Sequence, residues 1–392
     1  MPTCLIIDGD SGAGLSFARR LGRAGWTVLA PRGSRAAASR HVARTVALSD
    51  AVRSPDACRD DLLRIVGDPR TPVDLVVPAS DGSWELTHSV LRESGTAIAG
   101  GNAEASLPLL DKAHTLRVSE EAGFPVPAWI DPPTVEAVAG AAAEIGFPCV
   151  VKPRRSFQRI NGAVKQLRHE IVRDGDEAAV AAAALSGAAG PPIVQALVSG
   201  RSLAVTAVIR DGVVLATAAR ETLSAFPLLG GNSVRRRTIS TTEPGVAEAL
   251  AFLVATGLSG LAEVEYQVDS AGTPRLMEIG PRPHGWVTLA VAAGVDLPRY
   301  AAAVALGLAI EPAPACRVGV EMSWPGGELY RLRAALSRGT AVPYPLTRRQ
   351  VLSAAWPPWR PGMRYDGIDV RDLGPMLPRR FRAAAERSKF TE

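Results

Sequence analysis

Two short segments near residue 270 carry glutamates at a spacing that could bind a metal ion. Residues 261–269 (LAEVEYQVD) and 274–280 (PRLMEIG) alternate as β-strands do, and residues 270–273 between them are typical of a turn. If the turn is symmetric, the last residue of the first segment pairs with the first residue of the second, and Glu265 then lies directly opposite Glu278. The sequence therefore predicts a hairpin on which two carboxylates face each other.

A third acid of this hairpin, Glu263, is predicted to lie opposite Gly280 on the same face. Opposed carboxylates are about 5 Å apart at Cβ and repel each other, so the face is either solvated or occupied by a cation. Mg²⁺ prefers oxygen ligands and is commonly held by one or two carboxylates plus substrate phosphates. We expect Glu265 and Glu278 to bind Mg²⁺, with Glu263 as a third candidate ligand. An acidic strand that faces solvent is the alternative.

Basic residues near these acids could balance phosphate charge. Only four of the 44 basic residues are lysine, which makes each lysine a candidate with a specific role. Lys112 opens a predicted helix, and Lys152 ends the apolar segment 147–153 (FPCVVKP). Arg282 lies just beyond the hairpin, where it could neutralise a phosphoryl group during transfer. Arg220 follows a predicted strand and suits a phosphate or carboxylate partner.

Composition excludes several classes of protein. The chain has 392 residues, 47% of them hydrophobic, which is enough for two or three cores. It contains no apolar run of about 18 residues and no basic region before its first apolar run, so we expect neither a membrane span nor a signal peptide. A net charge of +5 is too small and dispersed to indicate nucleic-acid binding. Four scattered cysteines favour a reducing, cytoplasmic location.

The first hundred residues alternate predicted strands and helices, which indicates a parallel sheet covered by helices. The glycine turn at 9–14 (GDSGAG) could cradle a phosphate, but its spacing is not GxGxxG. The second strand ends in Ala30-Pro31-Arg32, where an acid for a ribose is expected. A tight turn in a doubly wound sheet is the simpler interpretation. NADP binding stays open, because Arg32 could suit a 2′-phosphate.

The order of the motifs resembles the ATP-grasp superfamily. The features are Lys112 at a helix start, FPCVVKP with Lys152, the segment 193–200 (IVQALVSG) and the closing hairpin followed by PRPHG. Over about residues 1–310, the sequence more particularly resembles the carboxylate–amine ligase branch, which has a Rossmann-like preceding domain. The short motifs that fit this branch are SRHV at 39–42, VVPASD at 76–81, PLLGGNS at 227–233 and AAGVDLP at 292–298.

The resemblance implies a mixed α/β and α+β chain in which a Rossmann-like preATP-grasp domain precedes a two-lobed ATP-grasp fold. The implied domains are 1–102 (Rossmann-like), 103–200 (central region with the first ATP-grasp lobe), 201–310 (C-terminal ATP-grasp lobe with the metal-binding hairpin) and 311–392 (C-terminal extension packed on the ATP-grasp fold). A homodimer is expected by analogy with the family.

The resemblance also implies roles for individual residues. Arg282 and Lys152 would be catalytic. The residues implied to bind the nucleotide are Lys112, Lys152, Gln195, Ala196, Leu197, Val198, Arg220, Glu265 and Glu278, with the backbone of 195–198 holding the adenine. The residues implied to contact substrate are Arg282, His284, Gly231, Asn232 and Ser233. The loop that holds the last three also carries Arg235, Arg236 and Arg237, which could recognise an anionic acid or form an exposed basic loop.

The implied reaction uses ATP and Mg²⁺ to phosphorylate a carboxylate. An amine then attacks the acyl phosphate to form an amide, and ADP and phosphate are released. Both the acid and the amine are expected to be small molecules of amino-acid size. No nucleic-acid or membrane partner is expected.

Two departures from the family keep other functions open. Gly280 stands where the family usually has an asparagine, and Arg201 stands where it commonly has an acid for the ribose. These departures keep a nucleotide-binding pseudoenzyme or regulatory protein open as the first alternative. An NADP-binding oxidoreductase that uses the glycine turn is the second.

Overall fold

A computed structural model describes residues 1–160, 163–226, 231–336 and 362–377. The N-terminal part is a five-stranded parallel sheet in the order β3-β2-β1-β4-β5. Its elements are β1 (Thr3–Ile6), α1 (Gly12–Arg23), β2 (Thr27–Pro31), β3 (Arg44–Val46), α2 (Pro55–Val66), β4 (Leu75–Val77), α3 (Asp81–Leu91) and β5 (Ala97–Ile98). The alternation of strand and helix therefore produces the parallel sheet that the sequence predicts.

A smaller antiparallel sheet follows, in the order β10-β7-β11-β6, with a separate two-stranded hairpin beside it. The elements are α4 (Ala103–Ser106), α5 (Lys112–Glu121), β6 (Trp129–Ile130), α6 (Val138–Ile145), β7 (Cys149–Lys152), β8 (Phe157–Ile160), β9 (Ala163–Gln166), β10 (Glu170–Val172), α7 (Gly175–Leu185) and β11 (Ile193–Ala196). The predicted turn at Asn161-Gly162 between β8 and β9 lies outside the described residues.

The third sheet has seven strands in the order β16-β15-β12-β13-β14-β17-β18, antiparallel except for its last pair. The elements are β12 (Gly200–Arg210), β13 (Val213–Phe226), β14 (Asn232–Ile239), α8 (Val246–Ala255), β15 (Gly260–Asp269), β16 (Pro274–Gly280), α9 (Val287–Ala292), α10 (Leu297–Ala305), β17 (Glu321–Ser323), α11 (Pro325–Leu336) and β18 (Arg364–Tyr365).

The middle strands of the large sheet are apolar on both sides because both sides are covered. Alternate residues of β12 enter two different cores: Ala204 and Val208 pack with α9, α10 and the N-terminal sheet, and Leu203 and Val205 pack with α5 and α8. Burial of both faces replaces the apolar–polar alternation expected of a half-exposed strand. The residues of this sheet that line the cleft described below include the charged side chains of Arg220, Glu263 and Glu265.

The division of the chain into four domains stays a prediction. The large sheet takes β17 and β18 from the region 311–392 that the sequence assigns to an extension. Much of that region lies outside the described residues, as do Pro227–Gly230 of the PLLGGNS motif. Among the described helices, none is both long enough and apolar enough to cross a membrane.

Candidate functional site

The β15–β16 hairpin places the predicted glutamates opposite each other. Glu265 pairs with Glu278 and Glu263 pairs with Gly280, which confirms the predicted register. The prediction of a symmetric turn is wrong, because the register at the tip is shifted by one residue. A bulge at Met277 restores the predicted pairing. Residues 277–280, which include the bulge and Glu278, all line the same cleft.

Neither carboxylate depends on solvent or a metal for charge balance, because each has a basic partner. Arg220 Nη2 lies 2.6 Å from Glu265 Oε1, and Lys112 Nζ lies 3.3 Å from Glu278 Oε1. Burial raises the pKa of Glu278, but Lys112 and Lys152 more than offset this effect, so the pKa lies below its ordinary value. Glu278 is therefore ionised at neutral pH, as a metal ligand must be. The sequence had suggested only solvent or a bound cation between the two acids, and it did not show that Arg220 and Lys112 would pair with them.

The two lysines approach Glu278 from separate elements. Lys112 is the first residue of α5, whose N-cap Asp111 fixes the helix start by accepting two backbone N–H groups. Its Nζ also donates to Ser156 Oγ at 2.9 Å. Lys152 ends β7, and its Nζ has no hydrogen bond or ion pair with any residue that the structure describes. Burial lowers the pKa of Lys152 to about 8. An unpaired cation beside a cleft is suited to a phosphate oxygen.

The segment that links the two antiparallel sheets supplies unpaired polar groups. Gln195 is 1% exposed, and its Nε2 has no hydrogen-bond partner in the part of the chain that the structure describes. Ala196 N donates to Ala128 O within the small sheet. Leu197 and Val198 follow the end of β11 and line the cleft, and their backbone N–H groups donate to no carbonyl within the described ranges. Such groups fit the edge of a purine base, so the chemistry of this segment suits a nucleotide.

Glu263 fills the space next to Gly280. A Cβ added at Gly280 would lie 3.2 Å from Glu263 Cγ and 3.3 Å from its Oε1. Trp286 Nε1 donates to Glu263 Oε2 at 2.6 Å and holds the carboxyl there. Burial, followed by the charge of Glu265, raises the pKa of Glu263 well above its ordinary value. Glu263 as a third metal ligand stays a prediction.

This packing predicts the outcome of restoring the family's asparagine. Gly280→Asn should crowd Glu263 and lower the free energy of unfolding by about 1–3 kcal/mol, the usual range for overpacking. Glu263→Ala removes the obstructing carboxyl, so Glu263→Ala/Gly280→Asn should be more stable than the sum of the two single changes. Chemical denaturation of the four proteins measures this coupling, expected at about 0.5–3 kcal/mol. Additive effects would show that Glu263 does not compete for this space.

The predicted substrate residues are placed in different ways. Arg282 forms an ion pair with Asp81, the first residue of α3, and lines the cleft. His284 is 1% exposed, and its Nε2 lies 2.8 Å from Thr206 Oγ1. Burial and the nearby arginines keep the pKa of His284 well below its ordinary value. The His284 ring packs against Trp286, with ring centroids 4.7 Å apart, and its Nδ1 lies 3.7 Å from Glu263 Oε2. Gly231, Asn232 and Ser233 line the cleft at the start of β14.

The structure adds residues that sequence reasoning did not assign to the site. Ser156 joins Lys112 to Glu278, accepting from the lysine and lying 3.4 Å from the carboxylate. Asp81 was part of the VVPASD motif, but no pattern linked it to Arg282, 201 residues away. Arg201, noted as a departure from the family, pairs with Glu221 at 2.8 Å and Glu243 at 3.0 Å.

The donor set suits a metal bound together with a phosphate. Over the described ranges no group of three or more His, Cys, Asp or Glu side chains could hold a metal. Glu265 and Glu278 supply two carboxylates, and Lys112 and Lys152 supply positive charge beside them. Mg²⁺ commonly has one or two protein carboxylates and takes its other ligands from phosphate and water. The residues present therefore fit Mg²⁺ with a nucleotide better than Mg²⁺ alone.

Comparison with known proteins identifies relatives of this arrangement. A family model described as "ATP-grasp in the biosynthetic pathway with Ter operon" matches residues 191–326, which include the linking segment and the hairpin. The formate-dependent phosphoribosylglycinamide formyltransferase of Bifidobacterium longum (strain NCC 2705) is 30% identical over 261 residues. Residues 191–326 of the chain are therefore similar to the ATP-grasp family. These matches agree with the predicted resemblance to the ATP-grasp superfamily and its carboxylate–amine ligase branch. The match covers 61% of this chain and 63% of the formyltransferase, which is less than two thirds of that relative.

Solved structures show the same ATP-grasp fold. A biotin carboxylase from Campylobacter jejuni, in a β-γ-ATP complex, has a TM-score of 0.67 at 15% identity, covering 81% of this chain and 74% of that chain. The ADP complex of N5-carboxyaminoimidazole ribonucleotide synthetase has a TM-score of 0.60 at 17% identity, covering 86% and 85%. These likenesses confirm the predicted fold class. At identities of 15% and 17%, these two structures show a shared fold and do not show a shared activity.

Proposed function

We propose that the protein is an ATP- and Mg²⁺-dependent ligase that activates a carboxylate and joins it to an amine. ATP would phosphorylate the acid to an acyl phosphate. The amine would then attack the acyl carbon, forming an amide or peptide bond and releasing phosphate, with ADP as the other product. Activation is needed because a free carboxylate is a poor electrophile at neutral pH. Both substrates would be small molecules, of amino-acid size.

One observation carries this proposal: Lys112 and Lys152 converge on Glu278, which lies opposite Glu265 across the hairpin. Phosphoryl transfer requires mainly positioning and charge neutralisation. The two lysines would bind phosphate oxygens and oppose their charge. Glu265 and Glu278 would hold Mg²⁺, which would supply positive charge to offset that of the phosphates. Arg282, fixed by Asp81, would face the acid and neutralise charge on its carboxylate.

The relatives support the coarser part of this proposal. The formyltransferase is named for a carboxylic acid, formate, and for an acceptor, phosphoribosylglycinamide. A reaction between an acid and a small acceptor is therefore consistent with the family. The amide product, the amino-acid-like substrates, the cytoplasmic location and the homodimer stay predictions for this chain.

Calorimetric titration with ATP, with and without Mg²⁺, tests the nucleotide site, and NADPH serves as the comparison ligand. We expect ATP binding that strengthens with Mg²⁺. A panel of acids and amines then tests turnover, and ADP release should require both substrates. ATP binding without ADP release across the panel would favour the pseudoenzyme, the alternative motivated by Gly280 and Arg201. NADPH binding without ATP binding would reject the ligase.

The glycine turn gives little support to the oxidoreductase. Gly12 begins α1, and a Cβ there would lie 3.7 Å from Gly285 O and 3.9 Å from Asp366 Oδ1. A helix N-terminus favours anions, but the nearby carbonyl and carboxylate oxygens would repel a pyrophosphate. Ser11 caps the helix instead, accepting from Gly14 N at 2.9 Å.

A further inference from the structure

Three consecutive arginines on β14 have different surroundings in the folded protein. Arg237 pairs with Glu221 at 2.8 Å, and Arg236 is buried and pairs with Asp366 at 2.5 Å. Arg235 forms no ion pair or side-chain hydrogen bond with any part of the chain that the structure describes. Acidic partners therefore neutralise Arg236 and Arg237, whereas Arg235 has no acidic partner among the described residues.

Two serine hydroxyls next to Arg235 are also unpaired. Ser224 on β13 is directly opposite Arg235, and Ser233 precedes Arg235 by two residues on β14. The buried atoms Ser224 Oγ, Ser233 Oγ and Arg235 Nε all lack a hydrogen-bond partner among the described residues. The strand register is irregular at this point, between Ser224 and Ala225. All three residues line the cleft that also contains Glu265 and Glu278.

Three buried polar atoms without hydrogen-bond partners lower the free energy of unfolding. A buried polar atom without a partner loses its hydrogen bonds to water and gains nothing in return. Most buried polar atoms in folded proteins are paired, so three unpaired ones on neighbouring strands call for an explanation. One guanidinium and two hydroxyls, with no carboxylate among them, form a set of donors that complements an oxyanion.

We propose that Arg235, Ser224 and Ser233 form a subsite for an oxyanionic group of the substrate, a carboxylate or a phosphate, away from the reacting end. The inference rests on the proposed function, in which this cleft holds the substrates. Ser224 lies four residue steps along β13 from Arg220, the partner of Glu265, which is about 13 Å along a strand. The substrate that uses this subsite carries a second anionic group and is long enough to span that distance.

The first experiment measures anion binding without turnover. Thermal unfolding midpoints of the full-length protein are recorded against increasing inorganic phosphate and increasing glutarate, each with and without Mg-ADP. We expect a saturable rise in the midpoint, and the anion with the lower half-saturation identifies the preferred group. Arg235→Ala should raise the half-saturation concentration at least tenfold. Arg237→Ala is the matched control, because it removes the same charge from the same strand, and it should leave the half-saturation unchanged.

Equal responses in the two arginine variants, or no saturable response to either anion in the wild-type protein, would overturn the proposal. The outcome is separate from the proposed function. If Arg235-dependent anion binding occurs but ADP is never released, the ligase fails and the subsite survives. If ADP is released and both arginine variants bind anions alike, the ligase survives and the subsite fails.

The serines provide a second, independent readout. A hydroxyl that serves only the structure should lower the unfolding midpoint when it is removed. Ser224→Ala and Ser233→Ala should instead raise or preserve the midpoint without anion, because each removes an unpaired buried oxygen. The same variants should weaken the response to phosphate or glutarate. A lowered midpoint combined with an unchanged anion response would overturn the assignment of these hydroxyls.

Discussion

Replacing Glu278 with alanine should reduce Mg²⁺-dependent ADP formation by at least about 10²- to 10³-fold, the loss typical when one preorganised charge-stabilising group is removed. Glu278 faces Glu265 and contacts Lys112, so it links the proposed metal to the lysines proposed to bind phosphate. The fold should survive, because the Glu278 side chain is 44% exposed and its removal relieves the repulsion between two facing carboxylates. Steady-state ADP release and a thermal unfolding curve measure the two effects.

Glu121→Ala is the matched control for this change. Glu121 is exposed at the end of α5, the helix that Lys112 opens, so its loss removes the same side chain away from the cleft. The control should retain full activity. A folded Glu278→Ala protein with normal ADP release would remove the metal assignment. Glu278→Gln keeps the size of the side chain, and its activity separates the charge from packing.

Replacing Lys152 with methionine should weaken ATP binding by about 10- to 100-fold, the value of a hydrogen bond to a charged group. The same change should stabilise the protein without nucleotide. Lys152 Nζ has no partner among the described residues, and burial lowers its pKa to about 8 from an ordinary 10.5. The folded protein therefore holds this positive charge at a cost, which the neutral methionine avoids while keeping an apolar side chain of similar length.

The pH dependence of stability gives the sign of this effect. Because the pKa of Lys152 is lower in the folded protein, the unfolded chain binds more protons between about pH 8 and 10.5. This lysine alone makes the free energy of unfolding rise with pH through that window, and below it the charged group costs stability. Lys152→Met should raise the free energy of unfolding at pH 7 and flatten the rise above pH 8, as measured by denaturant titrations.

Lys165→Met is the control, since Lys165 is exposed on β9. It should change neither ATP binding nor the pH profile. A destabilised Lys152→Met protein would show that Lys152 has a structural role that the geometry does not reveal. Unchanged ATP binding in a stable Lys152→Met protein would remove Lys152 from the nucleotide site.

The local parts of the site could be predicted from the sequence because they depend on short-range geometry. The alternation of residues in β15 and β16 and a short turn were enough to place Glu265 opposite Glu278. The turn itself was off by one residue, since alternation does not show a bulge such as that at Met277. Lys112 at a helix start and Lys152 at a strand end followed from the same kind of pattern.

The tertiary structure decided which charges are free. Arg220, Arg236, Arg237 and Arg282 all pair with acids 16 to 201 residues away, so no local pattern distinguishes them from Arg235. The same holds for the space beside Gly280, which Glu263 fills from the opposite strand. Periodicity and turn chemistry act over a few residues, and they determined the elements and the order of the motifs. Charge pairing and packing act through space, so only the folded chain shows which groups remain available to a ligand.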